Sequence, residues 1–138
     1  PAMFGHYTGA LMASQTLGYI PDKLCAEWVG AFTVASADEV GTYMGFHNGA
    51  VVVMAVYSDA TSFFLNNGST EDAGPAVDNA LHTWKIVVSK TAGTAEWFVD
   101  GTSQGTLVIT QDVWPAAFIC TAGTTNRWSL AWLHVWYE

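Results

Sequence analysis

Positive charge is the scarcest feature of this sequence: four Lys and Arg stand against twelve Asp and Glu, for a formal net charge of −8. A surface of that sign repels a phosphate backbone, so nucleic acid is not expected as a partner. Charge of either sign is sparse, at 12% of residues against the ~25% of an ordinary soluble domain. Much of the surface must then be Ala, Thr, Ser, Gly, Asn or apolar side chains, which tolerate burial against another molecule. Long hydrophobic runs are missing too. Apolar residues reach 51%, yet the longest unbroken run, Ala50 to Tyr57, is eight residues against the ~20 a spanning helix needs, so no membrane insertion is expected. Two cysteines, Cys25 and Cys120, cannot build a disulfide framework, and they read either as buried free thiols or as a single bridge.

No repeat, charge run or Pro/Gly-rich linker divides the 138 residues, which suit one domain spanning 1–138. Turn signals recur every ten residues or so, and no segment shows a 3.6-residue apolar period. Asn48-Gly49, Asn67-Gly68 and Asp100-Gly101 each lie between β-rich runs and supply the positive φ angles of tight hairpins. Strands are expected over Leu24 to Ala35, Thr42 to His47, Ala50 to Tyr57, Thr61 to Asn66, His82 to Lys90, Thr94 to Asp100, Thr106 to Thr110, Ala116 to Thr121 and Arg127 to Tyr137. The fold class is all-β, an antiparallel two-sheet β-sandwich.

Alternation gives the buried faces. Trp84, Ile86 and Val88 share one parity and Thr83, Lys85 and Ser89 the other, the pattern of a half-buried strand. Two runs break it. Ala50 to Tyr57 is apolar on both parities, and the last strand sets Trp128, Leu130, Trp132 and Trp136 against Leu133, Val135 and Tyr137. Such strands need cover on both sides, from the chain's first twenty residues or from another subunit. On the second option the contact residues are Val52, Met54, Val56, Leu133, Val135 and Tyr137. Phe4, Tyr7 and Leu11 would join them from residues 1–21, an uncharged-looking segment suited to an extended N-terminal arm.

Trp84-Lys85-Ile86-Val87-Val88, then Glu96-Trp97-Phe98-Val99-Asp100-Gly101, then a Trp-rich closing strand resembles the second half of concanavalin A-like jelly rolls. Laminin G-like and pentraxin-like modules are the relatives it is most similar to. The resemblance implies the jelly-roll form of the sandwich. Members of that superfamily serve as lectins, glucanases, adhesion domains and parts of phage and viral particles, so the fold alone does not choose a function.

Residues decide more. The glucanase branch carries Glu-x-Asp-x-x-Glu on one strand, because retaining hydrolysis needs two carboxyls about 5.5 Å apart. That triplet is absent. Glu96 and Asp100 share a parity but stand about 13 Å apart. No Gly-x-Ser-x-Gly elbow or reactive cysteine setting occurs, and no enzymatic activity is expected. His6, His47, His82 and His134 are scattered without metal-ligand spacing. Glu71, Asp72, Asp78 and Asn79 have the oxygen chemistry of a calcium loop but read better as a solvated one. No metal or cofactor is therefore expected.

Sugar-binding sheets present aromatic rings to pyranose CH groups with amides nearby. Trp84, Trp97, Trp128 and Trp132 are expected in the core, since large rings favour buried strand positions. Trp114, before Pro115 in a loop, is the first candidate for an exposed platform, followed by Tyr43, Tyr57 and Asn66. The leading expectation is a non-catalytic structural module of a phage or viral particle, a capsid decoration, cement or fibre protein. It would sit in the virion and contact other structural proteins or copies of itself. The alternative is a lectin-like module that binds glycans and is secreted or held at the cell surface.

Overall fold

Alternating apolar and polar positions fold here as two facing antiparallel sheets. The computed structural model describes residues 9–13, 22–33, 43–47, 52–58, 61–110, 117–120 and 127–138. They form β1 (Gly9–Ala13), β2 (Lys23–Thr33), β3 (Tyr43–His47), β4 (Val52–Ser58), β5 (Ser62–Asn66), β6 (Glu71–Ala76), β7 (Leu81–Ser89), β8 (Thr94–Val99), β9 (Thr102–Val108), β10 (Ala117–Cys120) and β11 (Arg127–Tyr137). One sheet has the order β1-β10-β3-β4-β5-β6 and the other β11-β2-β7-β8-β9. The result is the expected all-β sandwich of jelly-roll form. Among the described residues no helix is long and apolar enough to cross a membrane.

The core lies where the two inner faces meet. Leu24, Ala26, Trp28 and Phe32 of β2 and Trp84, Ile86 and Val88 of β7 face Met44, Phe46, Met54, Val56, Phe63 and Leu65 of the other sheet, all buried. Aromatic rings lock at its centre: Phe63 meets Trp84 edge-on at 4.7 Å, and Trp84 meets Trp128 edge-on at 5.3 Å. Edge-to-face contact is the geometry that ring quadrupoles favour. The indole N–H of Trp84 donates to the carbonyl of Gly30 at 2.9 Å, so its burial strands no donor.

Two of the three expected hairpin turns fall within the described residues. Asp100 and Gly101 have φ of +51° and +79°, the paired positive angles of a two-residue turn from β8 to β9. At Asn67-Gly68 the glycine has φ +87°, and the buried Asn67 side chain accepts from the N–H groups of Ser69 and Thr70. Its amide donates to the Val108 carbonyl at 2.9 Å, tying the β5–β6 hairpin to the end of β9. The Asn48-Gly49 turn lies outside the described residues.

The doubly apolar runs divide differently from the expectation. In β4 the parity of Met54 and Val56 faces inward, so these two expected contact residues are core. With both parities apolar, the sequence offered no means of choosing between them. In β11 the register shifts between Leu130 and Trp132, an extra residue that reverses which parity meets the core. Leu133, Val135 and Tyr137, expected to face outward, pack half-buried against the core. Trp132, expected inside, is 45% exposed. Leu11 and Val52 lie in β1 and β4 with side chains outside the described set, and Phe4 and Tyr7 lie outside it altogether. Five residues of the segment read as an arm form β1, which pairs with β10.

Two strands, β1 and β6, were not expected. β6 reads Glu71-Asp-Ala-Gly-Pro-Ala, poor in β-formers, and is held by pairing with β5. Its position at the end of the sheet order suits Pro75, which cannot donate to a second neighbour.

Candidate functional site

The outward face of the six-stranded sheet gathers an aromatic row. Tyr43 of β3 is in register with Tyr57 of β4, and Tyr57 with Phe64 of β5. All three alternate with buried core residues, which turns them away from the core. The Tyr43 and Tyr57 rings lie 4.9 Å apart at 31°, and the Tyr57 and Phe64 rings 5.8 Å apart and nearly parallel at 2°. Tyr57 is thus flanked by rings on both sides, while Phe64 ends the row. Beside it on β6 is Ala73, an exposed methyl.

A second row on the same face runs through Gly45, Ala55, Asn66 and Glu71. Gly45 and Ala55 are buried and give way to polar groups at the β5–β6 end. A Cβ on Gly45 would collide with the Met54 carbonyl and with Ala55, so no larger residue fits there. Asn66 Nδ2 donates to Glu71 Oε1 at 3.0 Å, and Asn66 Oδ1 accepts from the N–H of Gly68 in the turn. The turn therefore orients the amide, and the amide orients the carboxylate.

Burial pushes the Tyr57 phenol up to about 12, helped by the neighbouring Tyr43 and Glu71. Burial raises Tyr43 as well. Both hydroxyls stay protonated at neutral pH, where they can donate and accept hydrogen bonds but make poor nucleophiles. The row offers ring surface, two phenols, an amide and an oriented carboxylate, which is chemistry suited to hydroxyl-rich ligands with apolar CH faces.

Of the residues read as sugar-binding from the sequence, Tyr43, Tyr57 and Asn66 thus come together on three neighbouring strands. Trp114 lies outside the described residues. Phe64 and Glu71 were missed. Phe64 shares the parity of Asn66, a signal available in the sequence, whereas Glu71 became visible only once β6 was seen to pair with β5.

The acidic residues weighed as a calcium loop do not converge. Asp72 turns inward and accepts from Trp97 Nε1 at 3.0 Å, while Asp78 Oδ1 lies 3.0 Å from His82 Nε2. Asn79 has a φ of +59° between Asp78 and Ala80. Among the described residues no group of three or more His, Cys, Asp or Glu is arranged to hold a metal. Glu96 accepts from Ser103 Oγ at 2.6 Å, and Asp100 Oδ2 lies 2.7 Å from His82 Nδ1. Cys25 is a free, buried thiol, which removes the option of a bridge to Cys120.

The outward face of the five-stranded sheet differs. Lys85 Nζ lies 5.8 Å from the Phe98 ring centre and 5.6 Å from that of Trp136, which stacks on His134 at 4.8 Å. Trp132 completes an aromatic patch along β11.

No family model matches the chain, and no curated protein matches it. Among solved structures, the galectin LEC-6 of Caenorhabditis elegans is similar at 18% identity and a TM-score of 0.60, over 92% of this chain and 95% of that one. A sialidase is similar at 12% identity and a TM-score of 0.56, over 72% of this chain but only 9% of its own. The chain therefore spans a small part of that sialidase. At these identities the likeness is one of fold, the concanavalin A-like jelly roll.

Proposed function

We propose that this chain is a non-catalytic, lectin-like module that binds glycans on the outward face of its six-stranded sheet. The observation that carries the reading is the row Tyr43, Tyr57 and Phe64 set against the oriented Asn66 and Glu71 pair. The likeness in fold to a galectin agrees with it. Support for a non-catalytic role comes from the sequence, which lacks the Glu-x-Asp-x-x-Glu triplet, and from four carboxylates among the described residues that are held by neighbours: Asp72 by Trp97, Asp78 and Asp100 by His82, and Glu96 by Ser103. Such a module would act outside the cell, secreted, at a cell surface or on a particle.

A glycan array probed with the full chain tests the reading. Saturable binding that is lost in Phe64→Ala and Tyr57→Ala, with the fold intact, is the expected result. Binding unchanged by both substitutions would move the site elsewhere, and loss on Trp114→Ala alone would move it to Trp114.

A second reading, a structural module of a phage or viral particle, is favoured by one observation: the exposed Trp132 on β11. Aromatic side chains in such positions suit protein contacts. Native mass measurement separates the two, since a building block would assemble with copies of itself and lose assembly on Trp132→Ser.

A further inference from the structure

The permanent cations of this chain belong to one sheet and to the turn that follows its β7. Lys23 begins β2, Arg127 begins β11, Lys85 lies within β7 and Lys90 follows it, and the sequence contains no other Lys or Arg. The strands of the six-stranded sheet carry none. Their acidic residues are Glu71 and Asp72, and Asp72 is turned inward to Trp97. Glu71 is exposed on the outward face, two residues from Ala73.

Building on the glycan reading above, we infer that this face selects uncharged oligosaccharides and rejects those bearing carboxylate or sulfate groups. The open position in the aromatic row is beside Phe64, above Ala73. A pyranose seated there would lay its CH face on the Phe64 ring and turn hydroxyls to the Glu71 carboxylate, which Asn66 holds in place. A carboxylate accepting from hydroxyls forms strong, charge-assisted hydrogen bonds. An acidic sugar in the same seat would bring a second anion against Glu71.

No Lys or Arg belongs to the strands of the sheet that carries this seat. Facing sheets lie about 10 Å apart, and Lys85 lies over Phe98 and Trp136 on the outward side of the far one, beyond the ~8 Å over which exposed charges act at physiological salt. The histidine of the six-stranded sheet, His47 in β3, is three strands from β6, about 14 Å away. The net charge of −8 adds a further barrier to approach.

The test titrates the full chain with neutral oligosaccharides and with the same backbones carrying a uronic acid, a sialic acid or a sulfate, at low and high salt. Neutral ligands should bind with affinity insensitive to salt. Acidic counterparts should bind at least about tenfold more weakly at low salt and gain as salt is added. Ala73→Lys, an exposed substitution on the same face, should raise acidic binding several-fold, and Glu71→Gln should narrow the gap. Acidic glycans that bind as tightly as neutral ones, or a gap untouched by both substitutions, would overturn the inference while leaving the glycan reading standing. Silence toward every sugar would instead remove the glycan reading, and this selectivity with it.

Discussion

The indole N–H of Trp97 donates to the carboxylate of Asp72 across the two sheets, at 3.0 Å, joining β8 of one to β6 of the other. The surroundings are shaped for it. A Cβ on Gly74 would run into the Trp97 ring, and one on Gly105 into the Asp72 carboxylate. Asp72→Ala strands a buried donor and should destabilise the chain by about 1–3 kcal/mol. Gly74→Ala, which forces the ring to move, should be at least as damaging. Denaturant midpoints that fall with unchanged slope would bear this out, and midpoints equal to that of the parent chain would refute it.

His82 bridges two carboxylates, with Nδ1 2.7 Å from Asp100 and Nε2 3.0 Å from Asp78. Burial works against its proton, but the two acids outweigh burial and raise its pKa above the ordinary 6.5. Asp100 is lowered from 3.8 by the Thr83 N–H and then by His82, and Asp78 by the Ala80 N–H and then by His82. The histidine's contribution is complete below 6.5 and is lost as pH rises through its raised pKa. The acids' contribution is complete above 3.8 and is lost as pH falls through their lowered values. Stability should therefore gain most from this bridge between those two limits, by no more than about 1 kcal/mol because the carboxylates are exposed. His82→Gln should flatten that part of the pH profile, and a profile of the same shape in the variant would count against the bridge.

Trp128 and Trp132, four residues apart on β11, should respond very unequally to truncation. Trp128 is buried among Trp28, Phe32 and Trp84, so Trp128→Ala should cost about 3–5 kcal/mol. Trp132→Ala should change stability by less than about 1 kcal/mol. Acrylamide quenching should fall measurably in Trp132→Phe, because that ring is exposed. Comparable losses of stability from the two truncations would contradict the reversal of parity in β11.

Alkaline titration followed at the phenolate absorbance band should show Tyr57 among the last of the five tyrosines to ionise, at about 12. Tyr57→Phe should delete that late step. Should the step survive the substitution, it belongs to another tyrosine and the buried setting of Tyr57 is wrong.

Much of the fold was legible because strand period and turn chemistry are local. The Asp100-Gly101 turn needs two positive φ angles, and the alternation of Trp84, Ile86 and Val88 needs only one wet face, so both could be read from neighbouring residues. What failed was non-local. The extra residue near Ala131 is recorded in the pairing with β2 and nowhere in the order of residues, and it sent Trp132 outward and Leu133 inward. β6 has almost no intrinsic strand preference and exists because β5 and the Asn67 turn hold it. Half of the polar pair was lost with it: Asn66 could be picked out, but the carboxylate that it orients could not.

Placing every lysine on the five-stranded sheet or in the turn after β7 has a practical consequence for handling the molecule. Reagents that attack primary amines of side chains can reach it at Lys23, Lys85 and Lys90 alone, all on that sheet or the turn beside it. A chain tethered to a bead or sensor through these groups is anchored by its back and turns the tyrosine row toward the solution.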